Sequence, residues 1–183
     1  MPKILVDAYA GEGIHFYWDK GSAACVDFFD NAVVVRGNKA FFKSLIKQLV
    51  YLASNDFCLP YGTHLHYDKS FDQKYCGMEL ILELIPATPA DIVLDSSEPV
   101  TVLLDVPSNP DELYRCWNIK AEICVSTDSF VHIRADYHGL MFIATVLLAL
   151  TEHCDIDMYR CGNLLLPGWK GNDVVFSLLG KNS

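Results

Sequence analysis

At 183 residues the chain can form one domain, or two small repeated units, and bury a core without staples. With 51% hydrophobic, 20% charged and 12% aromatic residues it is neither disordered nor of low complexity. Fourteen Lys and Arg against 23 Asp and Glu, a formal charge of -9, exclude a nucleic-acid binder that works by neutralising phosphates and favour a basic partner.

The opening Met1-Pro2-Lys3-Ile4-Leu5-Val6-Asp7 meets a charge after three apolar residues, so it lacks the apolar stretch of a secretory signal and a cytoplasmic location is expected. Ile4 to Ala8 reads as a strand, followed by alternation over Ile14-His15-Phe16-Tyr17-Trp18. Ala24 to Arg36, broken by Asp30-Asn31, reads as a hairpin. Gly37-Asn38 then opens a helix in which Phe41, Phe42, Leu45, Ile46, Leu49 and Leu52 form one face and Lys39, Lys43 and Lys47 another. Strands are predicted at Thr63 to Tyr67 and Met78 to Ile85. Prolines punctuate the stretch from Pro86 to Pro99, Val100 to Val106 reads as a further strand, and Asp111 to Trp117 as a short helix after Pro110.

The first pattern then recurs. Ile123 to Arg134 is a hairpin broken at Asp128-Ser129, Ala135-Asp136 opens a helix from Tyr137 to His153, and strands are predicted at Asn163 to Leu166 and Val174 to Leu179. Arg36 and Arg134 hold matching places in the two copies. The expectation is an α+β fold of two β-β-α-β-β repeats, with mostly antiparallel sheets and two main helices. Its parts are a first lobe over 1–86, an acidic connector with a strand over 87–119, and a second lobe over 120–183. The longest uncharged apolar run, Leu140 to Leu150, is too short for the roughly 20 residues that span a bilayer, so no membrane partner is expected. It does require a helix covered on most sides.

Three features invite a chemical reading. On a strand, the side chains of His64, His66 and Asp68 fall on one face, and two imidazoles with a carboxylate are plausible zinc or iron ligands. That supports an alternative reading as a metal-dependent hydrolase or small-ligand enzyme. No further metal-spaced cluster accompanies them, so the other readings are the polar face of a half-buried strand, with Leu65 and Tyr67 behind it, or a partner contact, and no cofactor is expected. Phosphate-binding loops, nucleophile elbows and zinc-protease motifs are missing from the sequence, and Cys154 beside His153 points away from it on a helix. The chain is therefore expected not to be an enzyme. Seven cysteines without a C-x-x-C pair read as reduced, small buried hydrophobes. Trp169 sits in a turn, packing back on the core or anchoring a partner.

The third feature is electrostatic. Asp91, Asp95, Glu98, Asp105, Asp111 and Glu112 follow one another with no Lys or Arg before Arg115. Such a run is either a solvated connector or a surface that steers a basic partner by mimicking a polyanion.

Taken together, Val33-Val34-Val35-Arg36-Gly37-Asn38-Lys39 and the helix after it, Leu59-Pro60-Tyr61-Gly62-Thr63-His64-Leu65-His66-Tyr67-Asp68 and Glu79-Leu80-Ile81-Leu82-Glu83 resemble a known pattern. They are similar to small α+β immunity proteins of bacterial polymorphic toxin systems, in which an R-G-N step opens a helix and G-x-H-x-H-x-D opens the next strand. The resemblance covers roughly residues 22 to 86. It implies a cytosolic antidote that binds a cognate toxin and blocks its active site, with no reaction of its own. In the second copy Cys161-Gly162-Asn163-Leu164-Leu165-Leu166 lacks both histidines.

Overall fold

Alternating burial builds the first hairpin in the computed structural model, which describes residues 3–7, 18–54, 64–68, 75–85, 101–107, 109–153 and 156–179. Strands β2 (Ala24–Phe29) and β3 (Ala32–Gly37) bury Ala24, Val26, Val33 and Val35. They are joined by Asp30 and Asn31 at φ 48° and 60°, the two-residue left-handed turn whose twist matches paired strands. The R-G-N step has a local cause. Asn38 caps helix α1 (Lys39–Ser54), its side-chain oxygen accepting from the backbone N–H of Phe41 at 2.9 Å and of Ala23 at 3.2 Å.

The remaining elements are β1 (Lys3–Asp7) ahead of the hairpin, then β4 (His64–Tyr67), β5 (Tyr75–Gly77), β6 (Leu80–Leu84), β7 (Thr101–Asp105) and a 3-10 helix (Pro110–Cys116). After them come β8 (Ile123–Thr127), β9 (Val131–Ala135), α2 (Tyr137–Glu152), β10 (Met158–Cys161), β11 (Trp169–Gly171) and β12 (Asp173–Leu178). One five-stranded sheet has the order β10-β12-β3-β2-β5, another β11-β8-β9-β6-β4, and β1 pairs antiparallel with β7. Replacing each strand of β2 to β6 by its counterpart in β8 to β12, and the reverse, converts one order into the other. The registers agree as well: Val33 lies opposite Val174 where Val131 lies opposite Leu80, and Cys25 opposite Cys76 where Cys124 lies opposite Lys170.

The α+β class holds, with three corrections. The sheets are mixed rather than mostly antiparallel, because β12 runs parallel to β3, β6 to β9, β5 to β2 and β11 to β8. Those neighbours are distant in sequence, so no tight hairpin imposes antiparallel direction on them. Each half also contributes a three-residue strand, β5 or β11, between its last two expected strands. Finally, both large sheets draw strands from both sides of the connector, so residues 1–86 and 120–183 are not separate bodies.

The strand expected at Asn163 to Leu166 is a turn. The N–H groups of Leu165 and Leu166 both donate to Gly162 O, at 3.2 and 3.1 Å, and Leu164 and Leu165 are 91% and 65% exposed. The strand itself lies earlier, at Met158–Cys161. Residues 14–17 fall outside the described residues; Trp18, at their end, stacks on Phe41 with centroids 4.8 Å apart.

The two helices pack on each other, and α2 is further covered by the 3-10 helix, β9, β10 and β12. This explains its all-round apolar sequence: from Gly139 to Thr151 every residue but Met141 is buried. Each large apolar side chain so buried stabilises the fold by about 1.5–3 kcal/mol. Lys43 Nζ of α1 lies 3.9 Å from Glu152 of α2, an exposed pair worth little.

Candidate partner-binding surfaces

Two surfaces carry the residues singled out by sequence. Of the acidic run, Asp91, Asp95 and Glu98 lie outside the described residues. Asp105 ends β7 and is exposed. Asp111 and Glu112 occupy the first turn of the 3-10 helix, where Asn109 Oδ1 accepts from Asp111 N at 3.0 Å and Pro110 fixes the entry. Carboxylates suit that turn, since the N-terminal end of a helix carries partial positive charge. Glu112 pairs with Arg115 at 3.1 Å.

Among the described acids, Asp105 lies near the end of the 3-10 helix that carries Asp111 and Glu112. Cys116 Sγ donates to Asp105 O at 3.7 Å, drawing the end of the 3-10 helix to the end of β7. Burial raises the Cys116 thiol, and the Asp105 carboxylate adds to the rise. Burial likewise pushes the Tyr159 hydroxyl up to about 12, with Cys161, Cys116 and Asp111 contributing. Asp105 and Asp111 thus act on one neighbourhood around Cys116 and Tyr159, at the rim of the sheet that carries β10.

The second surface is the outer face of the other sheet. On edge strand β4 His64 and His66 point outward while Leu65 and Tyr67 are buried, as the alternation requires. Tyr67 donates its hydroxyl to the buried Gln48 Oε1 at 2.8 Å, anchoring β4 onto α1. The two imidazoles meet edge to face with centroids 4.8 Å apart. His66 Nδ1 is engaged by Glu79. Further along the face, His132 Nε2 lies 2.7 Å from Glu83 Oε2, an approach that is ionic when the ring is protonated but is not aligned as a hydrogen bond. Asp68 is half-buried at the end of the strand. Among the described residues no three His, Cys, Asp or Glu side chains converge as a metal-ligand set.

Sequence reading did not single out His132 or join Glu79 and Glu83 to the β4 histidines, because only strand register sets the two acids beside β4 and His132 across β6 from it. A signal was present in the other half. Arg160 and Asp173, at 2.7 Å, stand where His66 and Glu79 stand in the first half. A basic side chain on the edge strand beside an acid at the head of the neighbouring strand is therefore common to both sheets. His153, whose Nε2 is 2.8 Å from Pro107 O, ends α2; Cys154 lies outside the described residues. Trp169 packs inward, 4% exposed, with Nε1 donating to Asn172 O at 3.0 Å.

Over about a third of its length the chain is similar to immunity proteins. The family is immunity protein 32, whose model matches residues 32–97. The match takes in β3, α1, β4, β5 and β6, and with them the R-G-N cap and the β4 histidines, so the resemblance seen in the sequence holds for that part of the chain. No curated protein and no solved structure matches the chain. No helix among the described residues is long and apolar enough to cross a membrane.

Proposed function

We propose that the chain is an immunity protein that acts in the cytoplasm, binding a cognate toxin and blocking its active site by occupancy rather than by a reaction of its own. The observation that carries this reading is the family match over residues 32–97. The partner is a basic protein, and the contact surface is the acidic segment Asp91, Asp95, Glu98, Asp105, Asp111 and Glu112. The formal charge of -9 supports this choice, as does the gathering of Asp105 and Asp111 at one rim of a sheet. Complementary charge of this kind raises association rates most at low salt, which suits an antidote that must reach its target before damage accumulates.

The test pairs a growth assay with kinetics, using the product of the gene adjacent to this chain's own as the toxin. Co-expression of the chain restores growth of cells making that toxin. A variant carrying Asp105→Lys, Asp111→Lys and Glu112→Lys associates with it about tenfold or more slowly at low salt and with a flatter salt dependence. Absence of growth rescue by the wild-type chain contradicts the function. Rescue with unchanged association kinetics in the variant moves the contact surface elsewhere, to the β4 histidine face first.

A further inference from the structure

We propose that Cys25 and Cys76 form an oxidisable thiol pair, a modification site at which a peroxide joins two neighbouring strands by a disulfide. The pair is set by register: β5 runs parallel to β2 with Ala24 opposite Tyr75, Cys25 opposite Cys76 and Val26 opposite Gly77. Ala24, Val26 and Tyr75 are buried, so both cysteines face outward on the same side of the sheet. Neighbouring strands lie about 4.8 Å apart, inside the window of about 4.4–6.8 Å between Cα atoms that a disulfide bridges. Register thus sets the two side chains beside each other on adjacent strands.

The two sulfurs differ in ways that assign their roles. Cys76 is exposed on an edge strand and meets a dissolved oxidant first. Cys25 is half-buried, and burial, with Cys76 and Asp27 adding to it, pushes its thiol up to about 11, so it stays protonated at neutral pH. The Arg36 side chain, opposite Cys25 on β3, pairs with Asp27, placing a cation beside the two cysteines. The Cys76 thiolate attacks one peroxide oxygen, the O–O bond breaks, and the departing hydroxide takes up a proton, leaving a sulfenic acid on Cys76. The Cys25 sulfur then attacks the Cys76 sulfur, the S–O bond breaks, and the hydroxide leaves as water with the Cys25 proton. Two thiols lose two electrons, and one peroxide becomes two waters. The product fastens β5, three residues long, to the body of its sheet. The corresponding place on the other sheet has Cys124 opposite Lys170 and cannot form this bond.

The purified full-length chain treated with hydrogen peroxide loses the mass of two hydrogen atoms, and its digest yields the Cys25 and Cys76 peptides joined. Cys25→Ser and Cys76→Ser each abolish that linked product, Cys124→Ser does not, and circular dichroism confirms that all three variants are folded. The melting temperature rises on oxidation and returns with dithiothreitol. A Cys76 over-oxidised to sulfinic acid with Cys25 still open to alkylation, or joined to a different cysteine, overturns the pairing. A Cys25–Cys76 bond that leaves the melting temperature unchanged overturns its fastening role.

Discussion

Gly77 and Gly171 show how single residues shape the sheet edges. Each ends its short strand at a positive φ, 88° and 87°, and a Cβ there would lie 2.0 Å from Val26 O or 1.9 Å from Val125 O. Those carbonyls are fixed, since they accept from Met78 N at 2.7 Å and Asn172 N at 3.1 Å. Gly21 has a similar φ of 86° but open space around it. Gly21→Ala should therefore cost only backbone strain, about 1 kcal/mol, while Gly77→Ala and Gly171→Ala should each cost at least about 2–3 kcal/mol in urea unfolding. Equal losses at the three sites would remove the close-approach argument. The same residues explain a gap in what sequence reveals. Tyr75-Cys76-Gly77 and Trp169-Lys170-Gly171 are too short for periodicity to register, and their glycines read as turns although each closes a strand. The cysteines were misjudged for a related reason: composition suggests burial, yet among the five described only Cys161 is buried, while Cys76 is exposed and the other three are half-buried. Which face a strand residue takes follows from register, which composition does not contain.

Hairpins and helices were legible because turn chemistry, apolar periodicity and capping residues agree there. Asp30-Asn31 and Asn38 mark the first copy, and Asp136 the second, where its Oδ1 accepts from Gly139 N at 2.8 Å. The strand after α2 was displaced in the reading because Leu164-Leu165-Leu166 is apolar, whereas the true strand Met158-Tyr159-Arg160-Cys161 is an amphipathic edge. Asp136 also gives helix α2 a pH dependence. It is buried, and burial raises its carboxyl above the usual 3.8. Hydrogen bonds from Gly139 and Glu122 and the nearby His138 pull the other way, while the Glu122 charge adds to the rise. Because the folded carboxyl holds its proton more tightly than the unfolded one, this group favours the fold most in acid, and that contribution is lost as pH rises through the folded value. Asp136→Asn keeps the capping oxygen and removes the buried charge. It should gain stability relative to the wild type as pH rises from about 3.8 to neutrality. Asp136→Ala, which loses the cap, should cost about 1 kcal/mol at neutral pH. An Asn variant whose stability tracks the wild type across that range contradicts the assignment.

Across the whole molecule, the matching strand orders and registers support a proposal that the chain consists of two copies of one β-β-α-β-β-β unit that exchange their last strands. Each copy leaves β2, β3 and β5, or β8, β9 and β11, in one sheet and gives its other two strands to the opposite sheet. Neither half then closes a sheet alone, so residues 1–86 and 120–183 expressed separately should show no cooperative thermal transition, and the full chain should show one. Two separate transitions would contradict the interlocked arrangement. In that arrangement β4, with His64 and His66, and β10, with Tyr159, are edge strands of the two large sheets. Sequence shows the residues of both surfaces but not that β12 joins β3 and β10 joins β12. The proposed function, neutralisation of a toxin by binding, is tested by an inhibition titration of the purified product of the adjacent gene with the purified full-length chain, following the toxin's own activity. A linear fall to zero at a fixed stoichiometric ratio is expected, with a complex of both proteins recovered by size exclusion. Toxin activity that persists in excess chain, with the two proteins eluting apart, would contradict it.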